Sequence, residues 1–510
     1  MPSPEEKGPA DSRPVRLTEY ARQRLGYPRD QVRAGIVHFG FGNFHRAHQA
    51  SYIHRLMTAG GPSEWGICGV GILPTDAAMR DAMVAQDCLF TVVERHPDAH
   101  LELDVVGSVV EYRFAPEDPE AVFARLTDPA VRIVSLTITE GGYLRSAATG
   151  HFDPDHPDVI HDSRHPLTPV TAFGYIVEGL RRRRSLHRQP FTVMSCDNLQ
   201  GNSDAAREAI IGIARRSDPE LAEWIATSVA FPNGMVDRIT PATTDADRDT
   251  VARDFGIDDR WPVPCEPFTQ WILEDHFPAG RPDLSAVGVQ FVHDVRPYEL
   301  MKLRLLNASH QALAYLGGPQ GYRLVDEAMR DPSIAAFLAS YMHNEARPTL
   351  ETLPGIDVDA YIEMIIERFS NPQIMDTIVR LATDGTNRMA TFVLPVIAEN
   401  LKAGRSIEFG SIIVAAWAQY WAAIARGEID SAFVPEDRFA HVLRRLAVDE
   451  DLEAFGADRT LVGELADHAT FRTSVAEARK ALMSAGMGAT VAALLDARGS
   501  GPNAAIRTGQ

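Results

Sequence analysis

Two hydrophobic periods share the first half of the chain. Short apolar runs of strand type, "AGIVHFGFG" (34–42), "EWGICGVGI" (64–72), "VRIVSLTIT" (131–139) and "FTVMSCDN" (191–198), punctuate it. Between them lie stretches with helical spacing, such as "HRAHQASYIHRLMTAG" (45–60) and "TDAAMRDAMVAQ" (75–86). "LFTVVER" and "LELDVVGSVVEYRF" predict further strands. The alternation predicts an α/β fold with a doubly wound, mostly parallel sheet. From about residue 296 strand-like runs nearly vanish and helical periods dominate, which predicts a mainly α-helical second domain. The expected organisation is a flexible lead-in over 1–33, an α/β domain over 34–292 and a helical domain over 293–510. The most apolar stretch, "SIIVAAWAQYWAAIA" (411–425), is short and broken by Gln419, so it predicts a buried helix and not a membrane span.

A chain of 510 residues is too long for one compact core, which agrees with two domains. Asp and Glu number 69 against 50 Lys and Arg, a formal net charge of −19. Such a field repels nucleic-acid phosphates and anionic lipid, so neither nucleic acid nor membrane is an expected partner. The one basic run, "RRRRSLHR" (181–188), predicts the last turn of an amphipathic helix, where cations suit the dipole. Cys68, Cys88, Cys196 and Cys265 form no C-x-x-C pair and no metal-ligand spacing, which suits a reducing, cytoplasmic location. The start, "MPSPEEKGPADSRP", is polar and Pro-rich and lacks the apolar centre of a signal peptide.

The first strand closes on a glycine turn. Gly40 permits a tight turn, and Gly42 lets backbone N–H groups approach a pyrophosphate. The third glycine of G-x-G-x-x-G is absent, position 45 being histidine, so the motif draws its weight from its place in an alternating β/α half. The second strand ends in "GILPTD", which puts Asp76 where a carboxylate binds the adenosine ribose hydroxyls. That carboxylate disfavours a 2′-phosphate, so NAD is preferred over NADP. Asp76 equally suits the N-cap of the helix opening at "TDAAM", and the two roles are compatible.

"RPYELMKLRLLNASHQALAYLGG" (296–318) predicts a helix, with proline at its start and glycines at its end. At about 100° per residue, with Lys302 at the origin, Glu299 falls at about 60°, His310 at about 80° and Asn307 at about 140°. A polar arc of this kind is ordinarily a solvated face. Here Leu303, Leu306 and Leu313 lie inside the arc while Leu300, Met301 and Leu305 lie outside it. A helix apolar nearly all round is buried, so its polar stripe is expected to face an internal cleft. A lysine there loses solvation, which lowers its pKa toward neutrality and suits it as a general base. Asn307 offers an amide N–H₂ to an alkoxide or carbonyl oxygen, and His310 can bond a neighbouring hydroxyl. Glu299 relays the lysine's proton or holds its ammonium. With a dinucleotide site expected, the implied chemistry is hydride transfer from a secondary alcohol without a metal.

These residues resemble those of the polyol-specific long-chain dehydrogenases. The likeness runs from about residue 34 to about 490 and rests on several separated motifs. The family's K-x-x-x-x-N-x-x-H stands here as Lys302, Asn307 and His310. Its glycine-rich opening appears as "GFGNFHRAHQA", where Gly40, Phe41, Gly42, Asn43 and Phe44 are implied to hold the cofactor. "TITEGGY" carries Glu140, "VMSCDN" carries Asn198, and "FPNGMVDRITP" carries Asp237. The resemblance implies that Lys302 is the catalytic acid/base and that Asn198 and Asn307 polarise the reacting oxygen. It places His310 and Asp237 near substrate hydroxyls. It also implies a Rossmann-type domain followed by a mainly helical one, with the active site between them and no metal. Arg380 matches the family near "RLATDGTNRM", whereas Arg388 stands where the family commonly has lysine, so the far end of the substrate is expected to be contacted differently. Singly, these residues have ordinary readings: Glu140 fixes a loop, Asn198 ends a strand in an Asx-turn, and Asp237 pairs with Arg238. Their joint occurrence with the lysine helix favours function.

The reaction so implied is reversible, NAD-dependent oxidation of a polyol, D-mannitol to D-fructose first, with arabinitol and sorbitol open. One competing expectation is a sugar-acid reductase for fructuronate or tagaturonate, with Arg388 holding the carboxylate. Another is a nucleotide-binding regulator without turnover. The resemblance leans toward a monomer or weak dimer.

Overall fold

The computed structural model describes residues 14–146 and 150–497. The chain divides into two compact units, one ending at Arg296 and the other starting at Pro297.

The first unit contains strands β1 (Ala34–Phe39), β2 (Gly66–Gly71), β3 (Phe90–Arg95), β4 (Leu101–Val106), β5 (Val109–Phe114), β6 (Ile133–Leu136), β7 (Thr192–Ser195), β8 (Gly234–Asp237), β9 (Val263–Cys265), β10 (Gln270–Glu274) and β11 (Gln290–Val292). Its main sheet has the order β5-β2-β1-β6-β7, with every pairing parallel. Phe39 lies in register with Val70 and Leu136, and Leu136 with Ser195, so four adjacent strands end at one level. The connections include α1 (Asn43–Ala47), α2 (Gln49–Thr58), α3 (Ala77–Ala85), α4 (Pro119–Thr127), α5 (Ala172–Ser185) and α6 (Asn202–Ser217).

Both faces of this sheet are covered, which is why its strands read as continuous apolar runs. Val37, Phe39, Val134, Leu136 and Val193 pack with Phe123, Ile176 and Ile210 on one face. Ile36, Ile67, Ile133 and Met194 pack with Ile53, Met57 and Met83 on the other. Each such side chain taken fully from water contributes about 1.5–3 kcal/mol.

Three expectations need correcting. The β3–β4 segment does not extend the parallel sheet: it is an antiparallel hairpin that joins β9 in a separate sheet. A connection this short cannot make a parallel crossover. The helix expected over 45–60 begins at Asn43 and is divided into α1 and α2 at His48 (φ −111°, ψ −92°). The lead-in is ordered from Val15: Val15–Arg16 pair with Ile257–Asp258, and Leu17–Arg24 form a helix that buries Leu17 and Ala21. Residues 1–13 lie outside the described part.

The basic run closes α5, where its charges are spent on neighbours. Buried Arg183 donates to the carbonyls of Leu126, Asp128, Val131 and Gln189, and Arg182 pairs with Glu120 and Glu178.

The second unit is built from helices, with one isolated bridge between Leu324 and Thr377. They include α7 (Arg296–Lys302), α8 (Ala308–Gly317), α9 (Val358–Phe369), α10 (Ile378–Ala382) and α11 (Glu408–Ala425). Most of α11 is buried, including Trp417 and Trp421. No helix among the described residues is long and apolar enough to cross a membrane.

Candidate active site

The parallel sheet reverses direction of travel at β1, whose neighbours β2 and β6 are reached by separate routes. Ligands of such sheets bind beyond the carboxyl ends of the strands at this switch point. Four expected residues lie there: Gly40 after β1, Asp76 after β2, Glu140 after β6 and Asn198 after β7.

Gly40 has φ +86°, and a Cβ there would overlap the carbonyl oxygen of Thr137, so only glycine makes this turn. Around Gly42 the space is open, the nearest atom to a built Cβ being the Gly40 oxygen at 3.9 Å. The Phe41 ring is core, edge-on to Phe90 and Tyr112. Asn43 ties the turn down, donating to Pro241 O and Thr243 Oγ1, both at 2.9 Å, while Phe44 stacks on His48. Below the turn, His38 bonds Ser135 Oγ and Thr137 Oγ1, and the His45 ring stacks on it at 3.4 Å. Burial holds His38 neutral, pushed down to about 3, and keeps His45 well below its ordinary value.

Asp76 bonds backward and not forward into α3. Its Oδ2 accepts the N–H groups of Ile72 and Leu73, both at 2.9 Å, while Oδ1 takes no hydrogen bond from the described residues.

Glu140 opens a 3₁₀ turn (Glu140–Tyr143) and is exposed, as is Asn198 in the loop after β7. Between β6 and Glu140, Thr139 adopts φ +63°, ψ 164°, a region that costs a non-glycine residue about 1–3 kcal/mol. Asp237 ends β8 and is buried. Arg238, the partner that the ordinary reading gives Asp237, donates to Glu94, Glu266 O and Ala47 O. Glu94 also groups with His96 and Glu102 on the β3–β4 hairpin, a carboxylate/histidine cluster that sequence spacing did not reveal. Its engagement with Arg238 argues against a ligand role.

In the second unit, Glu299, Lys302, Asn307 and His310 are all buried. The helix that carries them is not uniform: α7 and α8 are joined by a π turn over Leu303–Asn307. A π turn inserts one residue, setting back everything beyond it by about 100°. His310 therefore comes to within about 20° of Lys302, and Asn307, the last residue of the turn, moves toward Lys302 from about 140°. The arc expected from α-geometry narrows to a stripe on either side of Lys302. Arg304, inside the π turn, is held by Glu399 and by Thr349 O.

His310 stacks face to face on Phe369 of α9, with ring centroids 4.2 Å apart. Its Nε2 has no hydrogen-bond partner among the described residues. Burial, then the charges of Arg380, Arg368, Arg388 and Lys302, hold its pKa well below the usual imidazole value, so it is neutral. That set places the expected Arg380 and Arg388 in the neighbourhood of the stripe, although each also has structural work. Arg380 pairs with Asp376, and Arg388 donates to the carbonyls of Arg380 and Leu381. Arg368 and Phe369 escaped sequence reasoning, since an Arg-Phe pair closing an amphipathic helix looks like an ordinary cap.

A doubly wound sheet with a glycine turn at its switch point, and a helical unit with a buried lysine–asparagine–histidine stripe, define a nucleotide-dependent dehydrogenase. Residues 34–286 match the model of the mannitol dehydrogenase Rossmann domain, and residues 294–483 that of the mannitol dehydrogenase C-terminal domain. The chain belongs to the mannitol dehydrogenase family. It is 48% identical to a mannitol 2-dehydrogenase of Cereibacter sphaeroides over 81% of this chain and 85% of that one. With a mannitol 2-dehydrogenase of Phaeosphaeria nodorum it shares 40% over 91% of this chain and 82% of the other. Among solved structures, Pseudomonas fluorescens mannitol 2-dehydrogenase in ternary complex with NAD and D-mannitol matches with TM-score 0.83 and 39% identity, covering 94% of this chain and all of that one (100%). A substrate-free D-sorbitol dehydrogenase matches with TM-score 0.84 and 37% identity, covering 92% and 96%.

Proposed function

We propose that the protein is an NAD-dependent polyol dehydrogenase that interconverts D-mannitol and D-fructose. The observation that carries this reading is the burial of Lys302, Asn307 and His310 on one helical run interrupted by a π turn. Its family relatives are mannitol 2-dehydrogenases, and one structural neighbour holds NAD and D-mannitol. The first unit fits NAD: the Gly40 turn and open Gly42 leave backbone accessible to a pyrophosphate, and Asp76 Oδ1 is available to ribose hydroxyls.

Bound NAD supplies the acceptor for a hydride from the carbinol carbon. Lys302 takes the hydroxyl proton at Nζ, and returns it when the ketose is reduced. Asn198 and Asn307 direct amide N–H groups at the oxygen on which charge develops. Neutral His310 bonds an adjacent hydroxyl as donor or acceptor, and Glu299 passes on the proton that Lys302 collects. Asp237, Arg380 and Arg388 hold the remaining hydroxyls. All four cysteines are free and buried, in keeping with a reducing, cytoplasmic setting, and the reading takes the enzyme as a monomer or weak dimer without nucleic-acid or membrane partners.

The similarity to a D-sorbitol dehydrogenase supports a second reading. D-Mannitol and D-sorbitol differ only in configuration at C2, so oxidation there gives D-fructose from both. The test is reduction of D-fructose by NADH with identification of the hexitol formed. Mannitol is the expected product; sorbitol would establish the second reading. Oxidation of NADH by D-fructuronate alone would overturn both in favour of a sugar-acid reductase.

A further inference from the structure

The loops bearing Glu140 and Asn198 meet on one buried carboxylate. Asp197, immediately before Asn198, accepts the N–H of Ile138 at Oδ2 (3.0 Å) and that of Thr139 at Oδ1 (2.8 Å). Its Oδ2 also accepts the hydroxyl of fully buried Tyr143 (2.7 Å). Tyr143 is bonded in turn to Ser195 Oγ, which accepts the N–H of Asp197 itself. Ordered protons make this a closed ring: the Ser195 hydroxyl donates to Tyr143, and Tyr143 donates to the carboxylate. A third loop joins through Asn202, whose Nδ2 donates to Asp197 O and to Gly234 O at the start of the strand that ends in Asp237. Two of the groups held by the carboxylate lead into the strain, the N–H of Ile138 and that of Thr139 itself, which sits at φ +63° directly before Glu140.

We propose that Asp197 is a positioning residue for the reaction, its carboxylate locking the Thr139–Glu140 turn to the strand end that presents Asn198. The arrangement explains how a threonine is kept in a glycine-like conformation: two successive N–H groups are drawn to the two oxygens of one anion. It rests on the role of Asn198 given above, and the test separates the two.

Asp197→Asn, Asn198→Ala and the double variant Asp197→Asn/Thr139→Gly are compared with wild type in NADH-dependent reduction of D-fructose. The carboxamide cannot accept at both oxygens, so kcat in Asp197→Asn is expected to fall about 30-fold while NADH affinity and KM stay within about threefold. Glycine at 139 removes the strain the carboxylate opposes, and is expected to return at least about fivefold of the lost kcat. Wild-type kcat in Asn198→Ala would refute the role of Asn198. A slow Asn198→Ala beside a folded Asp197→Asn with normal kcat, or a loss that Thr139→Gly leaves untouched, would overturn the positioning role alone. If Asp197→Asn does not fold, Tyr143→Phe removes one donor from the same oxygen. A kcat lowered about three- to tenfold would then support the proposal, and an unchanged kcat would overturn it.

Discussion

At Asp76 the two oxygens of one carboxylate face different tasks. Oδ2 closes its own turn by taking the N–H groups of Ile72 and Leu73, and Oδ1 is the oxygen proposed for a ribose. Replacement by serine keeps a short polar chain but removes the charge that repels a 2′-phosphate. Asp76→Ser is expected to raise NADPH-dependent fructose reduction relative to NADH-dependent reduction about tenfold or more; an unchanged ratio of kcat/KM values would assign cofactor choice elsewhere. As candidates, Asp76, Lys302, Asn307 and His310 were legible in the sequence, Asp76 by its place after the second strand and the other three because they interrupt an otherwise apolar helix. Asp197, Tyr143 and Asn202 were not, because a carboxylate after a strand and an asparagine near a helix start are common punctuation. Their meaning arises only from contacts between segments distant in the chain. Arg368 was hidden for the same reason.

The elements followed the hydrophobic periods wherever a whole face had to be buried, as in β1, β2, β6 and β7. Two departures have local causes. The β3–β4 hairpin shows in the sequence only as further strands, because period alone does not distinguish parallel from antiparallel pairing. The π turn was invisible because leucines at 303, 305 and 306 satisfy either helical phase, so the inserted residue is settled by packing. The element from β1 through α2 carries a consequence for pH. It buries His38, His45 and His48 as neutral rings, and burial pushes His38 and His48 down to about 3. The unfolded chain binds protons at these sites near the ordinary value of 6.5, and the folded chain does so only far below it. Their stabilising effect is therefore complete above pH 6.5 and is lost as the pH falls from there toward about 3. Each histidine costs roughly 1.4 kcal/mol per pH unit in that window. The thermal midpoint is expected to drop steeply between about pH 7 and pH 5, and His310 adds in the same direction. A midpoint flat across that range would show these rings titrating normally.

At the scale of the molecule, the change of pattern near residue 296 coincides with the division into two units at Arg296 and Pro297. The first unit reaches further toward the N-terminus than the pattern predicts, to Val15. A two-residue strand and a polar helix over 15–24 carry too little apolar periodicity to stand out, yet they pack through Leu17 and Ala21. The acidic balance of the chain bears on partners and not on the fold, and the basic run in α5 is consumed by intramolecular pairing. The family, the sheet and the stripe support the central proposal, that Lys302 moves the proton while a nicotinamide takes the hydride.

The most direct test is Lys302→Ala, read by NADH-dependent reduction of D-fructose and, separately, by NADH binding. Turnover is predicted to fall by about a thousandfold or more while NADH affinity stays within about threefold. Turnover near that of the wild type would contradict the assignment of Lys302 as the acid/base.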